Sequence, residues 1–141
     1  MIGIIEVYGS MLLRALGQTL LLTLLSLLFA MVIGMIFGLM NVGHNRVLNL
    51  IGTIYVDAVR GVPLIVLAYF IYFGVPAGMQ GLGFASFRLN ALQAGTAALS
   101  MNCGAYMAEI IRAGIESIPK GQMEAGRSLG LNYVQTMRVI I

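Results

Sequence analysis

Charge is what this sequence has least of. Its 141 residues include eight Lys and Arg and five Asp and Glu, 9% of the chain, where an ordinary soluble domain carries about 25%. So few charges cannot clothe a water-exposed globule of this length, which excludes a free cytosolic enzyme. Tryptophan is absent and Cys103 is the lone cysteine, so no intrachain disulfide can form and no Cys pair can hold a metal. The sequence has no G-x-x-x-x-G-K-[ST] loop for nucleotide phosphates, no H-E-x-x-H metal pair, no nucleophile elbow and no dinucleotide fingerprint. Its five carboxylates are scattered. No catalytic residue, no metal site and no cofactor are expected on this chain. No basic run interleaved with aromatics is present, which argues against nucleic acid as a partner.

What the chain has in abundance is apolar surface. Apolar side chains make up 60% of it and the mean hydropathy is +0.95. Those values point to membrane lipid as the solvent and exclude disorder, which needs low hydrophobicity. The net charge of +3 then reads as a topology bias.

The first uncharged run is Ala15–Met40, 26 residues. It would reach about 39 Å as a helix, enough to cross a hydrocarbon core of about 30 Å with tilt. A signal-peptide core is only about 7–15 residues, so a retained span is expected. Ser26, Ala30, Gly34 and Gly38 lie four apart along it and predict a helix-packing stripe, since small residues let two backbones approach closely in a membrane. A polar connection, Asn41–Asn49, follows, with His44 expected to be solvated.

The second apolar segment predicts a helix from near Ile51 to about residue 75. Asp57 and Arg60 are placed to pair at its entrance, and Pro63 should kink or break it. Tyr69, Phe70, Tyr72 and Phe73 read as an interfacial aromatic belt, and Pro76–Gly83 as a loop. The third segment, Leu89–Ala108, is uncharged but less apolar. Gln93, Thr96, Ser100 and Cys103 are spaced 3, 4 and 3 and share one helical face, with Asn102 one position off it. Polar groups in a span face protein or water, so these residues either line a translocation path or hydrogen-bond a neighbouring helix. Beyond the membrane, Glu109, Arg112, Glu116 and Lys120 form a ladder of alternating sign that reads as a solvated face. Pro119 and Gly121 end it. A short helix from Gln122 to Leu129 should stop at Gly130, a natural position for positive φ. Asn132 and Gln135 form a capping-box pair for a further helix from Tyr133.

These segments make the expected fold all-α, a polytopic transmembrane helical bundle over residues 1–141 with about three spans, near 15–40, 51–75 and 89–111. Arg46, Arg60, Arg112, Lys120, Arg127 and Arg138 fall on one side of it, and Arg14 and Arg88 on the other. The basic-residue bias therefore puts the tail in the cytoplasm and the N-terminus outside.

Three stretches carry a family resemblance. Glu124-Ala125-Gly126, three residues, Gly130, nine residues and Ile140 resemble the EAA motif of ATP-binding-cassette (ABC) importer permeases. Gly126 replaces the motif's second alanine, and the closing Leu-Pro is not reached. Arg60-Gly-Val-Pro63-Leu through Phe70-Ile-Tyr-Phe-Gly74 resembles a segment of the polar amino-acid permeases, the importers of histidine, glutamine, glutamate, arginine and opines. Gly104–Ile115 resembles the stretch that precedes their EAA loop.

The resemblance implies a cytoplasmic coupling-helix loop at 119–141 in a bacterial plasma (inner) membrane protein, the N-terminal portion of a permease subunit. It also implies a separate ABC ATPase holding ATP and Mg, a second permease copy or paralogue, and an extracytoplasmic solute-binding protein. Glu124 is expected near the start of the coupling helix, where the dipole favours a carboxylate. Ala125 would allow close seating, Leu129 would anchor, Arg127 would be a rim contact or a solvated charge, and Gly130 would turn the chain. The alternatives are a self-assembling channel and a non-transporting membrane scaffold, a truncated and inactive permease fragment.

Overall fold

The computed structural model describes the backbone of residues 2–140 and the side chains of residues 8–140. Every regular element among them is helical. The first helix, α1 (Ile2–Val42), is 41 residues long, about 62 Å at about 1.5 Å per residue. It therefore extends well beyond the expected 15–40 segment. Within Tyr8–Val42 its most apolar stretch is only 17% buried. A soluble core helix would be mostly buried; this one presents Leu, Ile, Phe and Met to its surroundings, as a lipid-facing helix does.

Helix α2 (Arg46–Gly61) starts five residues earlier than the sequence suggests. The Asn45 side chain accepts hydrogen bonds from the Val47 and Leu48 backbone N–H groups, satisfying donors that a helix start leaves unpaired. Val62 and Pro63 then adopt extended backbone, and the chain restarts as α3 (Leu64–Tyr69). The break expected at Pro63 is complete: no single helix runs from 51 to 75.

The loop expected over Pro76–Gly83 is a helix for most of its length. A single π-helical turn, α4 (Phe70–Gly74), leads into α5 (Val75–Gly81). The Val75 N–H reaches back five residues to the Phe70 carbonyl. The widened turn leaves Pro76 in the first turn of α5, where its missing N–H costs least. Together Leu64–Gly81 is the second stretch long and apolar enough to cross a membrane.

Helix α6 (Ala91–Glu116) is the hub. Asn90 caps it through a reciprocal box with Gln93. It has the length of a span but not the apolarity of the other two, because it is packed rather than lipid-facing: Ala94, Ala98, Gly104, Ala105 and Ala108 are all buried. Its main partner is α1. A Cβ placed on Gly34 would lie 2.5 Å from the Met107 Cβ, one on Gly38 would lie 3.0 Å from the Ala108 carbonyl oxygen, and one on Gly104 would lie 2.7 Å from the Ile33 Cγ2. Ser26 and Ala30 are buried on the same stripe.

Helix α2 packs against the C-terminal part of α1 and against α6. A Cβ on Gly52 would overlap the Asn41 amide, Phe37 stacks on Tyr55 at 4.0 Å, and the Tyr55 hydroxyl donates to the Met101 carbonyl at 2.8 Å. The remaining core joins Val59, Leu67 and Ile71 to Ala94, Ala98 and Ala105. Two short helices, α7 (Lys120–Ser128) and α8 (Tyr133–Val139), complete the chain.

The crossing yields a contrast within one helix. Gly34→Leu should destabilise the detergent-solubilised chain by about 1–3 kcal/mol, the usual cost of overpacking. Gly17→Leu should be nearly neutral, since nothing lies within 4 Å of a Cβ there. Equal melting temperatures for the two variants would contradict this packing.

Candidate functional site

The candidate site begins where α6 ends. Pro119 precedes α7, sets its first residue as Lys120, and places Glu124 in the second turn. The expected dipole role for Glu124 near the helix start is therefore corrected, because that effect fades beyond the first turn. Arg127 lies in the last turn, where a cation is favoured. The ladder is corrected too. Lys120 belongs to α7, so the run on α6 stops at Glu116.

Gly130 takes φ +85°. Asn132 accepts from the Gln135 N–H at 2.9 Å while the Gln135 side chain accepts from the Asn132 N–H at 2.9 Å, so α8 starts with both capping bonds made. Gly126 is the inward-facing residue of α7, which no local pattern of residues signals. A Cβ there would sit 2.8 Å from Thr136 Cγ2 and 2.9 Å from Ile140 Cδ1. Thr136 is fully buried beneath it, its hydroxyl donating to the Asn132 carbonyl at 3.0 Å.

With Gly126 turned inward, Glu124, Ala125, Arg127, Leu129 and Gly130 all remain exposed. Leu129 is 80% exposed. Behind α7 a cavity of about 900 Å3 is lined by His44, Glu116, Lys120, Glu124, Arg127 and Tyr133 among others. His44 meets the Tyr133 ring edge-on at 6.1 Å.

Just inside the loop lies a charged junction. Arg112 donates through Nη2 and Nε to the two Glu109 oxygens at 2.5 and 3.3 Å, and through Nη1 to Glu116 at 2.7 Å. Arg60 does not pair with Asp57 as its spacing suggested. It reaches across to α6, 3.8 Å from Glu109 and 5.3 Å over the Tyr106 ring.

The four polar residues of α6 are not gathered on one open surface. Thr96 and Ser100 are buried. The Ser100 hydroxyl lies 2.6 Å from the Thr96 carbonyl and 3.2 Å from that of Ser26 on α1. Gln93 is exposed and engaged in the Asn90 box, and Asn102 is half-buried. Among the described residues no cluster of three or more His, Cys, Asp or Glu could hold a metal.

Residues 30–141 match the profile of the binding-protein-dependent transport system inner membrane components. The chain belongs to that family. It is therefore a bacterial inner membrane protein. It is 40% identical over 94% of its length to the probable glutamine ABC transporter permease protein GlnM of Bacillus subtilis. It is 33% identical over 93% of its length to the glutamine transport system permease protein GlnP of Escherichia coli K12. The chain spans 58% of each of these relatives. A chain in the crystal structure of an amino acid ABC transporter with histidines aligns with a TM-score of 0.79 at 35% identity. That alignment covers 95% of this chain and 59% of the other.

For the loop, Gly130→Val forces a β-branched residue into left-handed backbone at a cost of about 1–2 kcal/mol. It should speed amide exchange in α8 while leaving α1 and α6 protected. Unaltered exchange across residues 131–139 would argue against the φ-dependent turn.

Proposed function

We propose that this chain is part of the permease subunit of an ABC importer for a polar amino acid. In this reading α1, the Leu64–Gly81 stretch and α6 span the membrane, with the N-terminus outside and α7 in the cytoplasm. Helix α7 seats in a groove on a separate ATPase that carries ATP and Mg. A second permease copy or paralogue completes the translocation path, and an extracytoplasmic binding protein delivers the solute. Catalysis of ATP hydrolysis belongs to the partner, and this chain transmits its motion.

The observation that carries the reading is the presentation of α7. Gly126 on Thr136, the turn at Gly130 and the Asn132 box hold a nine-residue helix rigidly against α8. Its charged residues and Leu129 are left facing outward. A rigid, exposed helix with an apolar anchor amid charges is the helix-in-groove mode of recognition. The names of the relatives support the transport assignment and the class of solute. Ala125 gives the partner close approach, Arg127 and Glu124 make rim contacts, and Leu129 fills a pocket. Within the membrane, the Ser100 hydroxyl ties α6 to α1, and the path runs on the side of Asn102.

Leu129→Asp places a charge where the groove is apolar. It should reduce co-purification of the ATPase by about tenfold or more, as loss of a central anchor does, with unchanged amounts of the permease in the membrane. Full ATPase recovery with Leu129→Asp would contradict α7 as the docking helix.

A further inference from the structure

The charged junction between α2 and α6 is not accounted for by docking. The joint at Val62–Pro63 carries no helical hydrogen bonds across it. Val62 and Pro63 are extended, α3 starts without a side-chain cap, and the first bonds of α3 run from Val66 and Leu67 to the Pro63 carbonyl. Backbone alone therefore does not fix α2 relative to the span that follows. Arg60 sits in the last turn of α2, one residue before that helix ends. Its guanidinium lies over Tyr106 and beside Glu109, both on α6. Glu109 is held in turn by Arg112, and Arg112 by Glu116, the final residue of α6. Three residues later Pro119 opens the coupling loop. One chain of charge thus runs from the hinge of the discontinuous span to the root of α7.

We propose that Arg60 and Glu109 are positioning residues that tie the Val62–Pro63 joint to the cytoplasmic end of α6, so that displacement of α7 is delivered to the Leu64–Gly81 span. This rests on the coupling reading above and adds the route inside the membrane domain. The link is a half-exposed ion pair with an aromatic support, so its loss leaves the bundle folded. Arg60 is required for its positive charge, which faces Tyr106 and Glu109 at once. Glu109 is required as the carboxylate that Arg60 and Arg112 share.

The test uses the complete transporter in proteoliposomes and reads solute moved per ATP hydrolysed. Arg60→Gln and Glu109→Gln should each lower that ratio about threefold or more, within the range for residues along a coupling network. The double variant should be no worse than the poorer single, because both remove one link. Arg60→Lys should retain most of the ratio, and all four variants should melt within a few degrees of the parent. An undiminished ratio in Arg60→Gln, or losses that multiply in the double variant, would overturn the proposal. Leu129→Asp run alongside separates the two readings. If it uncouples while Arg60→Gln does not, only the internal route falls; if it also leaves the ratio intact, the docking reading falls with it.

Discussion

The structure depends on the close crossing of α1 and α6. In lipid, apolar side chains gain nothing by leaving one hydrocarbon environment for another, so helices associate through tight van der Waals contact and interhelical hydrogen bonds. Gly34, Gly38 and Gly104 let the two backbones approach to distances that any side chain would obstruct. The Ser100 hydroxyl adds a bond across the seam to the Ser26 carbonyl. Once α6 is fixed in this way, everything that matters to function hangs from it. Its N-terminal third supports the broken span through Ala94 and Ala98. Its C-terminal end carries the ion pairs, and its last residue leads into the Pro119 turn.

The division of α6 into a packed half and a charged end explains its composition. A helix that faced lipid would be as apolar as α1. A helix buried on one flank by small residues spends its polar groups on bonds to its neighbour and itself, as Ser100 does. The same economy appears at smaller scale between α7 and α8, where Gly126 rests on the methyl and hydroxyl of Thr136. Both crossings use glycine to bring two helices together.

Much of this was legible in the residues. The four-residue spacing of Ser26, Ala30, Gly34 and Gly38 marks one face of a helix, and the structure puts that face against α6. Gly130, Asn132 and Gln135 announce a turn and a helix start through purely local chemistry, and both are found. Pro63 breaks its helix for an equally local reason. What stayed hidden needed knowledge of a partner distant in sequence. Gly104 and Gly52 look like ordinary span glycines until Ile33 and Asn41 are set beside them. Arg60 has a carboxylate three residues away and takes one 49 positions off instead, because Tyr106 and Glu109 lie on the helix that α2 packs against. The π turn at Phe70–Gly74 has no signal in composition, so residues 76–83 read as a loop although most of them are helical.

The account stands on α7 facing the cytoplasm, where an ATPase can reach it. Lys120→Cys in a Cys103→Ser background gives one thiol at the root of that helix. With a membrane-impermeant maleimide, intact cells should leave it unmodified, and permeabilised cells should label it. Rapid labelling in intact cells would contradict the orientation, and with it the coupling role assigned to the loop.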